Sequence, residues 1–273
     1  MKGKTAVVTG GGSGIGRALS LALAKRGARV VVTDIDEESA RRVATECGAG
    51  VSARHLDVRE AQAVQSTIDE IVRDHGTIDY LFNNAGIGVA GEVDEIPLAG
   101  WDLIIDVNLR GVIHGVAAAY PHMVRQGFGH IVNTASLAGL GGVPLMAPYA
   151  MTKHAVVGLS TSLRHEAKAR GVRVSVLCPG AVETPLLDRN KIYGVGYDVW
   201  VPNVRRYLER LGGPPYSAEK LAVETLAAVE RNRGIIVIPG RARMTWRISR
   251  YFPSVVDKVF PGAIAAERAD RKR

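Results

Sequence analysis

Residues 5–26 constrain the fold of this chain more than any other segment. Residues 5–8 (Thr-Ala-Val-Val) form a short apolar run, typical of a strand buried on both faces of a sheet. A glycine-rich stretch, residues 9–16, follows directly, and residues 17–26 carry apolar side chains at the spacing of a helix packed on a sheet. A strand, a glycine turn and a helix in this order predict a dinucleotide-binding unit.

The glycine turn indicates how such a unit would hold its ligand. Glycines let the chain turn tightly and let a pyrophosphate approach the backbone, and the start of the helix offers free N–H groups to the phosphates. A plain tight turn is the alternative, but the position between a strand and a helix favours nucleotide binding. The predicted contacts are Gly10, Ser13, Gly14, Ile15 and Gly16.

Asp34 lies where an adenosine ribose would be recognised. It ends the next predicted strand, residues 29–34, and stands 18 residues beyond Gly16. A carboxylate at this place binds the ribose hydroxyls and repels a 2′-phosphate, so it favours NAD over NADP. Two other readings stay open: Asp34 could cap the following helix, and Arg17 could offset the repulsion.

Strands and helices alternate along the rest of the chain. This alternation predicts a single α/β domain over residues 1–239, with a Rossmann-like, doubly wound parallel sheet of about seven strands and helices on both faces. Ligands bind at the carboxyl ends of such strands, where Asp57, Asn84, Ser136 and Pro179 also fall. Further strands are predicted at residues 51–56, 79–82, 130–134, 172–177 and 235–238, and further helices at residues 37–47, 60–74, 101–125, 149–169 and 217–231.

Tyr149 and Lys153 are the candidate catalytic pair. Four residues apart on a helix, they share one face, and a cation beside a phenol favours the phenolate and lowers the pKa of the tyrosine. Free tyrosine titrates near pH ~10, so proton uptake near neutral pH needs roughly 4 kcal/mol of charge stabilisation. Ser136 follows an apolar run, where its hydroxyl can point out of a strand end. The spacing alone is weak, because a solvated helix face can carry it.

Composition narrows the class of protein. Apolar residues make up 47% of the chain and charged residues 23%, which is typical of a globular protein. The net charge is +8, but residues 240–273 hold nine Lys/Arg and three Asp/Glu, so the basic balance gives no reason to expect nucleic acid binding by the main domain. Cys47 and Cys178 stand far apart and form no metal-binding pattern. We expect a cytoplasmic protein with no secretion signal and no stretch long enough to span a bilayer.

Together these features resemble the short-chain dehydrogenase/reductase family, in its shorter, single-domain branch. Each matching piece is weak alone, but their order and spacing span residues 5–239 and make the set specific. The pieces are the glycine turn at residues 9–16, Asp57, Asn83-Asn84-Ala85-Gly86, Asn108, Ser136, Tyr149-x-x-x-Lys153, and Pro179-Gly180 with Thr184.

The resemblance implies a role for each position. Tyr149 would be the general acid/base, and Lys153 would lower its pKa and bind the nicotinamide ribose. Ser136 would hydrogen-bond the substrate oxygen. Asn108 would hold a water in a proton relay, although an asparagine within a long helix can simply bridge backbone groups. The cofactor contacts would be Asp57 and Val58 at the adenine, Asn84, Ala85 and Gly86 at the adenosine side, and Pro179, Gly180, Val182 and Thr184 towards the nicotinamide.

The sequence of residues 185–216 gives an expectation about the type of substrate. In this family the segment forms a loop that covers the substrate, and long loops in compact domains tend to be functional. Aromatic side chains here predict a sizeable apolar substrate, or else they pack on the domain itself. The side chains concerned are Tyr193, Tyr197, Trp200 and Tyr207, with Leu145 and Met146 across the site.

Residues 240–273 form a basic amphipathic extension beyond the family's minimal length. Such a segment could lie on an acidic membrane surface, close over the substrate pocket or pack on a second subunit. The resemblance itself implies a homodimer or homotetramer. The apolar positions are Met244, Ile248, Tyr251, Phe252, Val255, Val256 and Val259, with Arg241, Arg243, Arg247 and Arg250 between them, and Pro253 and Pro261 divide the stretch.

The sequence therefore predicts an NAD-dependent oxidoreductase for a small-molecule secondary alcohol or ketone, with NADP less favoured. The alternative from another class is a dinucleotide-binding sensor without turnover, against which the intact Ser136, Tyr149 and Lys153 argue. A sugar-nucleotide epimerase would have a different glycine spacing and a larger C-terminal domain. A methyltransferase would have no reason to retain Tyr149 and Lys153.

Overall fold

A seven-stranded sheet forms the centre of the molecule. The computed structural model describes residues 1–188 and 199–271, apart from the side chains of residues 256 and 257. All seven strands are parallel, in the order β3-β2-β1-β4-β5-β6-β7, so the predicted Rossmann-like fold is confirmed. The strands are β1 (Thr5–Thr9), β2 (Arg29–Asp34), β3 (Val51–His55), β4 (Tyr80–Asn83), β5 (Gly129–Thr134), β6 (Val172–Pro179) and β7 (Ile235–Ile238).

Helices cover both faces of this sheet. Successive strand residues point to opposite faces, so Val8 packs with Leu19 and Leu226 on one side while Val7 packs with Ile68 and Met123 on the other. Continuous apolar strands are therefore buried on both sides. The helices are α1 (Gly14–Lys25), α2 (Glu37–Cys47), α3 (Ala61–His75), α4 (Leu98–Ile105), α5 (Gly111–Gln126), α6 (Ala147–Lys168), α7 (Val204–Gly212), α8 (Ala218–Glu230), α9 (Gly240–Tyr251) and α10 (Pro253–Arg271).

The helix predicted at residues 101–125 is longer and interrupted. A π-helical turn, Asp106–Arg110, joins α4 to α5, and the amide of Gly111 donates to the carbonyl of Asp106 five residues before it. The whole run Leu98–Gln126 is long and apolar enough to span a membrane, contrary to our expectation. Ala118 and Met123 of this run are buried against the sheet, which is the arrangement of a core helix in a globular protein.

Residues 185–216 and 240–273 contain more helix than their sequence predicts. Helix α7 lies inside the segment predicted as a loop, and the Asn203 side chain caps it by accepting from the amide of Arg206 at 3.0 Å. Pro253 begins α10, as its fixed φ favours at a helix start, but α10 continues through Pro261. The extension is therefore two helices divided once.

An ion-pair cluster fastens the far end of α10. The Glu267 side chain is only 1% exposed, and its carboxylate lies 3.0 Å from Arg206 and 2.7 Å from Arg210, both on α7. Arg268 of the next position pairs with Glu92 at 2.6 Å. These contacts hold α10 across α7 and against the loop that follows β4.

We expect Glu267→Gln to loosen α10 from α7. Glutamine keeps the size of the side chain but removes the charge from its hydrogen bonds, which should cost about 1–3 kcal/mol of the free energy of unfolding. Guanidinium denaturation gives this loss, and hydrogen exchange should be faster in residues 253–271. Glu209→Gln, on an exposed position of α7, is the matched control and should change stability by less than about 0.5 kcal/mol. Equal losses in both variants would contradict the role of the cluster.

Candidate active site

A large cleft opens at the carboxyl ends of the strands. Its volume is about 960 Å³, at the upper end of the usual range for ligand sites. Every predicted catalytic and cofactor-binding residue lines it except Gly16 and Asn108, which are buried. Of the two residues predicted across the site from the substrate loop, Met146 lines the cleft and Leu145 does not. The residues brought together are Gly10, Ser13, Gly14, Ile15, Asp34, Asp57, Val58, Asn84, Ala85, Gly86, Ser136, Tyr149, Lys153, Pro179, Gly180, Val182 and Thr184.

The glycine turn leaves no room for side chains. A Cβ on Gly16 would lie 2.0 Å from the carbonyl oxygen of Gly10, and a Cβ on Gly10 would lie 2.7 Å from the Cα of Ala85. Gly10 and Gly14 have φ of +62° and +53°, which favour glycine. Ser13 is the N-cap residue of α1. Among the described residues, its side chain accepts no hydrogen bond from the first amides of the helix. This cradle, with amides free at a helix start, fits a pyrophosphate group.

Thr9 and Asn84 hold the turn in position. The Thr9 hydroxyl accepts from the amides of Asn84 and Ala85 at 3.0 and 3.1 Å. The Asn84 side chain donates to the carbonyls of Thr9 and Gly10 at 3.1 and 3.3 Å, so it acts on the turn as well as lining the cleft. Thr9 was not among the predicted site residues. Its position between a buried strand and the first glycine was the available signal.

Asp34 faces the glycine turn from the end of β2. One carboxylate oxygen accepts from the amide of Gly12 at 2.9 Å, and the other accepts from the amide of Asp36 at 3.0 Å. The cap of α2 is Asp36, which accepts from the amide of Ser39 at 3.1 Å. The capping alternative for Asp34 is therefore wrong, and its charge faces the cleft.

Two arginines near this end of the cleft are paired with carboxylates. The Nε of Arg17 donates to Glu46 at 3.0 Å, so this guanidinium is directed to α2. The Nε of Arg59 donates to Asp57 at 2.9 Å, and these hydrogen bonds hold the pKa of the Asp57 carboxyl below its ordinary value. Arg59 was not predicted, and its place two residues beyond Asp57 was the only sequence signal.

Ser136 and Tyr149 meet at the centre of the cleft. Ser136 follows β5, and its Oγ accepts from the amide of Ala138 at 3.1 Å, which starts a short 3₁₀ turn. Burial raises the pKa of Tyr149 above its ordinary value near 10, and a hydrogen bond from Ser136 opposes this rise. The phenol is therefore protonated at neutral pH in the protein alone.

Lys153 lies beneath Tyr149 on the same face of α6. It is buried, and its Nζ donates to the carbonyl of Thr134 at 3.0 Å and lies 5.6 Å from the centre of the Tyr149 ring. Burial lowers the pKa of Lys153 to about 8. The ammonium is thus the main form at neutral pH, although desolvation has moved it close to titration.

We expect the Lys153 ammonium of the protein without ligand to titrate about two pH units below an ordinary lysine. NMR of ¹³C-labelled lysine side chains should show one resonance with a midpoint at about pH 8, because burial penalises the charged form. Lys153→Arg identifies the resonance by removing it. A midpoint above about 10 for Lys153 would show that its amine is solvated.

Asn108 is held by the π-helical turn and bridges the backbone. Its Oδ1 accepts from the amide of Ile87 at 2.8 Å, and its Nδ2 donates to the carbonyl of Ile87 at 3.0 Å. A Cβ on Gly86 would lie 3.2 Å from this Oδ1 and 3.4 Å from the Nζ of Lys153. Asn108 therefore fixes the segment that faces Lys153, which is the backbone-bridging arrangement considered above.

The half of the cleft beyond Tyr149 is apolar. Its wall comes from the segments after β5 and β6, from α7, and from α9 and α10, so the extension closes over the pocket. The α7 positions were not predicted, although their three- and four-residue spacing was a signal. The apolar lining residues are Leu140, Val143, Met146, Leu186, Leu187, Val201, Val204, Leu208, Leu211, Ile248, Val255, Val259 and Phe260.

Two aromatic residues of the predicted substrate loop, Trp200 and Tyr207, do not form this wall. The guanidinium of Arg271 stacks over Trp200, 5.3 Å from its ring centre, and Tyr207 is fully buried. Neither lines the cleft, so they pack on the protein itself. Tyr193 and Tyr197 lie outside the described residues. Among the described residues of this segment, aliphatic side chains such as Val204 and Leu208 line the cleft instead.

Comparison with known proteins agrees with this geometry. The family model described as short chain dehydrogenase matches residues 4–192, more than half of the chain. The chain belongs to the short-chain dehydrogenase/reductase family. A short-chain dehydrogenase/reductase from Burkholderia phymatum, solved in complex with NAD, has a TM-score of 0.84 and 33% identity, covering 93% of this chain and 95% of its own.

Two relatives of this chain are described as a dehydrogenase and a probable oxidoreductase. Cyclohexanol dehydrogenase from an Acinetobacter species is 37% identical over 188 residues, which cover 67% of this chain and 75% of the relative. Probable oxidoreductase EphD from Mycobacterium tuberculosis is 34% identical over 255 residues, 91% of this chain but only 43% of EphD. The chain thus spans less than half the length of that relative. Family membership and the NAD-bound neighbour support a nicotinamide cofactor.

Proposed function

We propose that this protein is an NAD-dependent dehydrogenase or ketone reductase for sizeable, apolar secondary alcohols and ketones. The observation that carries the proposal is the position of Ser136, Tyr149 and Lys153, between the glycine-turn half of the cleft and its apolar half. A dinucleotide sensor without turnover would not need a serine and a tyrosine hydroxyl at the cleft beside a buried amine.

Each of these three side chains has a distinct part in the proposed reaction. The Tyr149 phenolate accepts the hydroxyl proton of an alcohol, and the phenol returns it to a ketone. The Ser136 hydroxyl holds the substrate oxygen beside Tyr149. The Lys153 ammonium stabilises the phenolate and so lowers the pKa that burial raises. The nicotinamide, when bound, accepts or supplies the hydride.

The same proposal gives the cofactor its contacts. The amides at the start of α1 hold the pyrophosphate, and Asp34 accepts from the adenosine ribose hydroxyls. Asp57 and Val58 lie at the adenine, with Ala85 and Gly86 beside the adenosine. Lys153 binds the nicotinamide ribose. The end of β6 and the segment after it contact the nicotinamide through Pro179, Gly180, Val182 and Thr184.

The preference for NAD rests on charge. Asp34 presents a carboxylate to the place of the ribose, where a 2′-phosphate would be repelled. Arg17, which could have offset that repulsion, is directed to Glu46 on α2. Both observations favour NAD over NADP.

We expect kcat/KM to rise with the chain length of a secondary alcohol. Each added methylene buries apolar surface worth about 0.8 kcal/mol, which is about fourfold per carbon until the apolar half of the cleft is filled. A homologous series of 2-alkanols measures the slope. A slope of zero, or a preference for small polyols over long alkanols, would contradict an apolar substrate.

A substrate panel tests the proposed function directly. Formation of reduced nicotinamide is followed with NAD or NADP over cyclic, long-chain and polar secondary alcohols, and the reverse reaction over the matching ketones. Turnover of apolar members with NAD supports the proposal. NAD binding without turnover of any member would favour the sensor instead.

We also propose that the cytoplasmic form is a homodimer or homotetramer. Exposed apolar side chains on three neighbouring helices, Leu98 on α4, Ile113 on α5 and Met151 on α6, support a contact between subunits. Sedimentation velocity over a range of protein concentrations distinguishes a monomer from these assemblies.

A further inference from the structure

The outward face of α9 is apolar and basic at once. Met244, Ile248 and Tyr251 recur at positions i, i+4 and i+7, and they are 60%, 40% and 71% exposed. Arg247 and Arg250 are exposed beside this stripe on the same helix. An apolar stripe flanked by arginines is the pattern of a helix that lies in a membrane interface.

The packing of α9 does not require this stripe. Ala242 and Trp246, on the opposite side of the helix, pack on the cluster beneath β7. The stripe continues instead across the junction into α10, through Phe252, which is 62% exposed, and then Val255 and Val259. We call these six exposed apolar residues the extension surface: Met244, Ile248, Tyr251, Phe252, Val255 and Val259.

The extension surface also forms the rim of the cleft. Ile248, Val255 and Val259 are exposed to solvent and line the cleft at the same time. The opening of the apolar half of the cleft therefore lies beside the extension surface rather than on a distant part of the molecule.

The basic residues of the extension fall into two groups, one paired with carboxylates and one exposed on α9. Residues 240–273 carry +6 of the total net charge of +8. Arg268 and Arg271, at the far end of α10, pair with Glu92 and Glu95 at 2.6 Å. Within the part of the chain that the structure describes, no carboxylate lies within 4.0 Å of Arg247. Arg247 and Arg250 are both exposed beside the extension surface, where they can face an external anion.

We propose that the extension surface docks on an anionic lipid bilayer, with the mouth of the cleft facing the lipid. The apolar side chains enter the boundary between headgroups and acyl chains, and the two arginines reach the lipid phosphates. A second copy of the chain fits this surface poorly, because a two-fold contact would bring the arginines of both copies together. An apolar alcohol dissolved in the bilayer then enters the cleft directly. Only this last step rests on the proposed function.

Vesicle binding of the full chain tests the docking without any need for turnover. Vesicles of phosphatidylcholine with about a third phosphatidylglycerol should bind the protein, and vesicles of phosphatidylcholine alone should bind it much more weakly. The double variant Arg247→Gln with Arg250→Gln should lower the partition coefficient about thirtyfold. Arg170→Gln with Arg231→Gln changes the net charge equally at the opposite edge of the sheet, and it should have little effect.

A second pair of variants tests the apolar part of the surface. Tyr251→Ser with Phe252→Ser should abolish most of the binding, whereas Val223→Ser, an exposed apolar position on α8, should not change it. Equal weakening by the two glutamine pairs would mean diffuse charge attraction and would overturn the proposal. So would equal binding to neutral vesicles. Absence of vesicle binding, together with an oligomer that Tyr251→Ser and Phe252→Ser dissociate, would make this face a subunit interface instead.

Discussion

Replacing Tyr149 by phenylalanine should lower kcat for alcohol oxidation about a thousandfold while NAD still binds. Phenylalanine keeps the ring and its packing beside Met146, so only the hydroxyl that carries the proton is lost. A positioned general acid/base contributes typically about 10²–10⁴ to the rate. Steady-state kinetics give kcat, and quenching of protein fluorescence by added NAD gives its dissociation constant.

Tyr120→Phe is the matched control for this experiment. Tyr120 packs on the core at α5 and does not line the cleft, so its variant should keep kcat within about twofold. A Tyr149→Phe enzyme that retained more than about a tenth of kcat would show that another group moves the proton. Loss of NAD binding in the same variant would instead show that the phenol holds the cofactor.

Replacing Asp34 by asparagine should shift the ratio of kcat/KM for NAD and NADP about a hundredfold towards NADP. Two unit charges about 4 Å apart interact by about 4 kcal/mol at an effective dielectric constant of 20, and partial exposure reduces this. Asparagine keeps an oxygen that can accept from the Gly12 amide, so the contact with the glycine turn is preserved, while the charge and the hydrogen bond from the Asp36 amide are removed.

Asp57→Asn provides the comparison for the Asp34 variant. The Asp57 carboxylate is also at the cleft, but Arg59 already neutralises it, so its removal should change the cofactor ratio much less. If both variants changed the ratio equally, general electrostatics of the cleft would set the preference. If Asp34→Asn left the ratio unchanged, the selection would lie at another residue.

The fold was predictable because apolar runs and glycines mark it directly. Thr5–Thr9 is buried throughout and ends at the glycine turn, so both its type and its end follow from the sequence. The convergence of Asp34, Asn84 and Ser136 followed from topology, since the carboxyl ends of parallel strands share one edge. Steric demand at Gly16 explains why a glycine is needed there.

The features that we did not predict from the sequence involve contacts between residues far apart in the chain. Trp200 stacks with the guanidinium of Arg271, and Tyr207 is fully buried. Neither side chain therefore lines the cleft, where we predicted aromatic residues. Glu267 reads in the sequence as one of few acids in a basic tail, yet it is the buried centre of an ion-pair cluster. Pro261 marks a break by its type, but α10 passes through it.

The π-helical turn Asp106–Arg110 lets two parts of one long helix face different directions: α4 contributes to the cleft, and α5 packs on the sheet. One additional residue in a turn rotates everything after it by about 100° relative to an uninterrupted α-helix. Asp102 and Leu103 can therefore face the cleft from α4 while Ala118 and Met123 face the sheet from α5. Asp102 and Leu103 can therefore be varied to suit a ligand without replacing the residues of α5 that pack on the sheet.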